Sequence, residues 1–432
     1  VPSPWNGTLL LYSHGFGPPQ AADAPDASTK QALLDRGYAL VGSSYDPGGS
    51  WWALSSALRD QFEALDAVRT VLPSKPREVI AFGTSMGGLI SALESERGNG
   101  RIDGALTTCG IVAGAIHLNN YQLDGEYAIA KLLAPAMPIK LVRFANPDEG
   151  LATGKQFDAI AQQAESTPQG RARLALAMAF LNVPTWAPGQ PMPAADDYAA
   201  QEQQQFDIQF SGAFTTMDFI ESGRPWIEQA AGGNGSWTVG VDFARQLARS
   251  PYAAQIRALY GQAGLDLRSD LNTLTAGADI RADAPAVRSL AQTSVPSGRL
   301  QVPSSTSIPS PTSSYRPSKR ASTLARCAVR GARRRRGPPS APGIRRAPGS
   351  LQLHSRRAGR RCTRDRASRG DRPVKSRRHA AEPPGNRDQP GTWRRSVHPL
   401  PPVTAHGRQR SVRAGLRAAI TASPGRFAFA DP

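Results

Sequence analysis

Three short stretches of this chain carry side chains whose types and spacing can do chemistry. The first is Gly83-Thr84-Ser85-Met86-Gly87-Gly88, a G-x-S-x-G pattern. A serine hydroxyl is a poor nucleophile unless it is exposed, oriented and given a base, and a serine on a tight strand-to-helix turn meets the first two needs. Gly83 and Gly87 let the backbone close around it, and the Met86 N–H, at the start of the following helix, is placed to bind a developing oxyanion. The second is His14-Gly15-Phe16-Gly17, about 70 residues earlier, where another strand runs into a glycine-rich loop. His14 heads that loop. The third is negative: Gly298-Arg299-Leu300-Gln301-Val302-Pro303 leads toward a late strand, but no acidic residue follows it closely.

The elements that must hold these stretches are legible in the apolar pattern. Thr8 to Tyr12, Tyr38 to Gly42, Glu78 to Phe82 and Ala105 to Gly110 read as compact buried strands. Between them lie a helical segment near Lys30 to Arg36 and an amphipathic helix with Leu54, Leu58, Phe62, Leu65, Val68 and Leu72 on one face. A third helix begins near Met86. Strands alternating with helices at this interval imply a mostly parallel sheet flanked by helices, an α/β class. Asp46, followed by Pro47-Gly48-Gly49, reads as a turn residue and Asp60 as a solvated helix position. Residues 1–120 are read as this core, with His117 beyond a strand end in a structural or substrate-facing role.

From 121 to 290 strand signals thin and Ala, Gln and Leu dominate, which predicts a mainly helical cap. Its aromatic residues Trp186, Phe210, Phe214, Trp226 and Trp237 are expected chiefly in the cap core, with the lining of an acyl or aromatic pocket as the other reading. Residues 291–303 are the lead-in to a late core strand. Residues 304–432 are rich in Arg, Pro and Ser without sustained apolar periodicity, a basic tail expected to be disordered.

The net charge of +18 belongs almost entirely to that tail. From residue 301 there are about 30 Lys and Arg against about 5 Asp and Glu, so the first 300 residues are mildly acidic. Three cysteines, Cys109, Cys327 and Cys362, define no disulfide framework, and no run of 18 apolar residues suggests a membrane span. The first residue is Val with no leader pattern ahead of the first strand, so a processed or incomplete N-terminus is expected.

With both motifs in this order, residues 5 to 303 resemble the α/β-hydrolase superfamily, in particular secreted bacterial hydrolases with a helical cap inserted after the nucleophile strand and helix. The resemblance implies Ser85 as nucleophile and the Phe16 and Met86 backbone N–H groups as the oxyanion hole, with His14 shaping its loop rather than acting as the base. It also implies a triad in the order Ser, acid, His, no metal or organic cofactor, a small-molecule ester or peptide substrate, and export. The acid and the base are not assigned. Where the acid-bearing strand should continue, the chain reads Ser304-Ser305-Thr306-Ser307-Ile308-Pro309-Ser310-Pro311, which is not expected to form a central strand. Read from the third base of the Ser304 codon, synonymous codons can spell V-D-I-H-T-I-T-D, with an acid across Pro311 and Thr312. Gly349 to Ser355, read from the second base, can spell G-H-C-N-F-T, like the family's His loop. The tail is therefore read as frame-shifted.

Four functional readings follow. The first is a serine esterase or lipase-like hydrolase working through an acyl-serine; the second is a peptidase of the same fold. The third is a hydrolase impaired by loss of its Asp and His. The fourth is a nucleic-acid-binding protein acting through Arg333 to Arg336, set aside because no binding module or interleaved aromatics accompany them. Oligomeric state is left open.

Overall fold

A computed structural model describes residues 1–307 except 188 and 212–215. Phe214 and the basic segment from 308 onward, including the shifted-frame acid and His loop, lie outside the described residues.

Five parallel strands form the sheet: β1 (Thr8–Ser13), β2 (Ala39–Gly42), β3 (Glu78–Thr84), β4 (Gly104–Thr108) and β5 (Ser304–Ser307), in the order β2-β1-β3-β4-β5. Its flanking helices are α1 (Ala27–Asp35), α2 (Ala57–Arg69) and α3 (Met86–Arg97). Alternation along the strands sorts side chains onto two faces, as the strand period of two requires. Leu9, Leu11, Val79, Ala81 and Ala105 pack with Phe62 and Leu65 of α2, while Leu10, Tyr12, Phe82 and Leu106 pack with Leu33 of α1. Both faces are covered, which is why β1 and β4 read as unbroken apolar runs in the sequence.

Between β4 and β5 the chain makes α4 (Ala115–Leu133), α5 (Pro147–Ala164), α6 (Pro168–Phe180), α7 (Tyr198–Phe210), α8 (Met217–Ala231), α9 (Phe243–Arg249), α10 (Ala253–Gln262), α11 (Leu267–Ala276) and α12 (Ala284–Thr293). Several begin at a side-chain cap with an apt signal: Asn146 before Pro147, Thr167 before Pro168, and Asp242 and Asp266 accept from backbone N–H groups of the first turn. These helices have a core of their own around Tyr127, Phe157, Leu176, Phe243 and Tyr260. Phe210 is in it and Trp237 packs against it, as expected, while Trp226 stays outside it. No helix among the described residues is long and apolar enough to cross a membrane.

The sequence reading ends the late strand at Pro303, and here the structure differs. Ser304–Ser307 form β5 with Ala105 to Thr108 opposite them, and the Ala105 N–H donates to the Pro303 carbonyl at 3.0 Å. Strand pairing draws on backbone groups, which serine and threonine supply in full. The two prolines that argue against a strand, Pro309 and Pro311, come after these four residues. Asp60 also differs from its reading: it is not freely solvated but 12% exposed and pairs with Arg59 at 3.0 Å. Asp46 forms the expected turn, its carboxylate accepting from the Gly48 N–H.

Candidate active site

Ser85 joins β3 to α3 with φ 59° and ψ −121°, a left-handed conformation that a residue with a side chain adopts only where its surroundings enforce it. Three features enforce it. The Ser85 N–H donates to the Thr108 carbonyl at 3.1 Å, and the Ser85 carbonyl accepts from Gly88 and Leu89 at 3.0 and 3.2 Å. The glycines on either side admit no side chain: a Cβ on Gly83 would run into the Gly87 carbonyl, and one on Gly87 into the carbonyls of Ser13 and His14. The turn therefore packs directly on the loop leaving β1. This is the physical content of the G-x-S-x-G spacing.

That loop lies beside the serine. A Cβ on Gly15 would sit 3.6 Å from the Ser85 Cβ. His14 accepts the role read from the sequence: its Nδ1 is 2.9 Å from the Gly15 carbonyl and its ring stacks on Tyr45 at 4.1 Å. Its Nε2 is sealed from solvent without a hydrogen-bond partner among the described residues, and burial holds the imidazole below its ordinary pKa. A buried, neutral ring held this way braces the loop. No hydrogen bond from the Phe16 N–H or the Met86 N–H is found among the described residues.

Behind the loop is a buried polar cluster that sequence reasoning missed. Tyr45, itself at φ 60°, donates its hydroxyl to the His14 carbonyl at 3.1 Å. Gln61 of α2 donates to the Tyr12 carbonyl and to Ser13 Oγ at 2.8 and 2.7 Å, and accepts from the Ser43 N–H at 2.8 Å. Glu94 of α3 is fully buried nearby, and burial pushes its carboxyl well above the usual range, so it is held protonated. Gln61 belongs to a helix pattern in which a polar residue on the apolar side is the available signal. Nothing local marks Tyr45 or Glu94.

Strand order, a strained serine at the turn after the central strand, and the β1 loop alongside it decide the architecture. This is the α/β-hydrolase fold. In it Ser307 of β5 lies opposite Thr108, whose carbonyl holds the Ser85 N–H. Among the described residues the other histidine is His117, exposed in the first turn of α4. His354, His379, His398 and His406 lie outside the described residues.

No family model matches the chain. It is 25% identical over 304 residues to an o-phthalyl amidase of Xanthobacter agilis, covering 65% of each protein, so it spans just under two thirds of that relative's length. Among solved structures it is similar to an esterase from Aspergillus oryzae (13% identity, TM-score 0.28, 70% of this chain and 67% of that one). It is also similar to the acetyl esterase MekB (13%, TM-score 0.27, 66% and 86%) and to a tannin acyl hydrolase in complex with ethyl gallate (21%, TM-score 0.21, 36% and 42%).

Proposed function

We propose that this chain is a serine hydrolase that cleaves carboxylic esters through an acyl-serine intermediate. The observation that carries this reading is the conformation of Ser85, held at positive φ by its backbone hydrogen bonds and the glycines around it, with Gly15 of the β1 loop against it. In the proposed reaction Ser85 Oγ attacks the carbonyl carbon and its proton passes to a base. The carbonyl oxygen, now carrying the negative charge, accepts from the Phe16 and Met86 N–H groups. Collapse breaks the bond to the leaving alkoxide, which takes the proton, and water then releases the acid from the acyl-serine. Fixed donors aimed at the developing oxyanion are worth about 10²–10³ in rate each.

Amide cleavage is the second reading, and the relative named as an amidase favours it. Ester and amide cleavage share this geometry and differ in how strongly the leaving group must be protonated. The Asp and His of the triad are proposed to be encoded out of frame beyond Ser307, in which case the chain as written is impaired but retains its nucleophile and oxyanion hole.

The test is labelling of the full chain with a fluorophosphonate, followed by peptide mass spectrometry, and a burst assay with p-nitrophenyl acetate. The adduct is expected on Ser85 and is expected to vanish, with the burst, in Ser85→Ala. An adduct on another residue, or an equal burst from Ser85→Ala, overturns the reading.

A further inference from the structure

Four aromatic rings from three separated segments meet beside the oxyanion loop. Phe16 packs edge-on against Trp51 (centroids 5.9 Å apart, 65°) and against Phe219 (5.7 Å, 86°). Trp51 in turn lies flat on Trp226 at 5.0 Å and 4°. Phe219 and Trp226 come from the cap helix α8, and Trp51 from the loop after β2. Phe219, Gly223 and Trp226 recur at four- and three-residue steps and so share one face of α8. Gly223, between the two rings, has the Phe16 ring as its neighbour, 3.6 Å from where a Cβ would be. The Ser50 hydroxyl donates to the Trp226 carbonyl at 2.6 Å and ties the cap helix to the Trp51 loop.

Core packing accounts for Phe16, which lies against the buried cluster of Trp52, Met86, Leu89 and Leu118, but not for the other three rings. Trp51, Phe219 and Trp226 belong to none of the buried apolar clusters, and Phe219 is 37% exposed. Large aromatic side chains left half-open next to a reactive centre are what a binding pocket uses to cover a ligand. The connection to the chemistry is Phe16 itself, which follows the Gly15 that lies against Ser85 and whose ring is the hub of the cluster. A carbonyl held by the Phe16 N–H is one residue's width from the rings.

Resting on the serine-hydrolase reading, we propose that Phe16, Trp51, Phe219 and Trp226 form the acyl-group site and select substrates whose acyl group is a planar aryl ring. Edge and face contacts with such a ring are available here in both orientations, because Phe16 and Phe219 present edges and the stacked Trp51–Trp226 pair presents a face. A saturated ring of the same size gains the burial but not the quadrupolar contacts.

The experiment measures binding of benzoate, cyclohexanecarboxylate and butyrate to the full chain by titration calorimetry. It also measures protection of Ser85 from fluorophosphonate by each. Benzoate is expected to bind about three- to tenfold more tightly than cyclohexanecarboxylate, with butyrate weakest, and to protect Ser85 in the same order. Trp226→Ala is expected to abolish the benzoate preference. Phe219→Leu, which keeps an apolar side chain at a partly exposed position, is expected to reduce it. Ser85→Ala is expected to retain it, since carboxylate binding needs no nucleophile. Equal affinity for the two ring acids overturns the proposal, as does a preference that survives in Phe219→Leu and Trp226→Ala. Benzoate binding that leaves Ser85 unprotected does so too. Failure of the serine reading would look different: no phosphonate adduct at Ser85 even without ligand.

Discussion

Replacing Arg224 by Met tests how α8, and with it the aromatic wall, is held in place. Arg224 is 2% exposed; it reaches Glu126 of α4 at 2.5 Å, Glu221 one turn back at 3.6 Å and Ser236 Oγ at 3.3 Å. Burial pushes the Glu126 carboxyl up to about 7, with the guanidinium opposing the rise, and pushes Glu221 well above the usual range. The cluster therefore sets one cation against carboxyls that burial holds above their ordinary range, with Glu228 also acting on the guanidinium. Methionine keeps most of the volume but leaves Glu126 without its counter-charge, a loss of about 3–5 kcal/mol when one partner of a buried pair is removed. The pH dependence follows from the sign of the shift. A carboxyl whose folded pKa lies above its unfolded value supplies stability that is complete below the unfolded value. That stability then falls by about 1.4 kcal/mol per pH unit until the folded pKa is passed. For the native chain the Glu126 contribution stops falling near pH 7. In Arg224→Met the folded pKa moves higher and the fall continues, so the gap between the two proteins widens by about 1.4 kcal/mol from pH 7 to pH 8. Equilibrium urea unfolding followed by tryptophan fluorescence at pH 5.5, 7 and 8 measures it. A gap that stays constant or narrows with rising pH would refute the assignment of Arg224 as the counter-charge.

Two further substitutions probe the nucleophile turn. In Gly87→Ala the new methyl meets the Ser13 carbonyl and lies 2.6 Å from that of His14, both backbone atoms that cannot swing aside. Relief requires the turn and the β1 loop to separate by about 1 Å, and about a 100-fold slower phosphonate labelling of Ser85 is expected; labelling at the native rate would show that the two do not pack as described. Tyr45→Phe keeps the ring on His14 but removes the hydroxyl bond to the His14 carbonyl. A melting-curve loss of about 1 kcal/mol and slower labelling are expected together, and loss of stability with labelling untouched would confine Tyr45 to a structural role.

The serine turn was legible in the sequence because its causes are local. Gly83, Ser85 and Gly87 lie within five residues, and the apolar runs on either side are one strand and one helix covered on both sides. The His14 loop was legible for the same reason: it is the end of a short buried strand. The start of β5 was misread from side-chain composition, because a strand is paired through its backbone, and Pro303 and Ser304 to Ser307 offer the groups the ladder with β4 uses.

Contacts between distant segments were decided only by the tertiary structure. Trp226 read as cap core, yet it stacks on Trp51, 175 positions earlier, because α8 is held by the Arg224–Glu126 pair and by the Ser50 hydroxyl on the Trp226 carbonyl as well as by its own apolar residues. Glu94 and Tyr45 carry no sequence signal, since burial of a polar group is a property of what surrounds it. By itself the sequence determined where a serine would be strained and which strands would flank it, for periodicity and glycine spacing act over a few residues. Which rings stand beside that serine, and which charges are sealed behind it, depended on helices folding back across more than a hundred residues, where the free energy lies in packing between faces that no local pattern specifies.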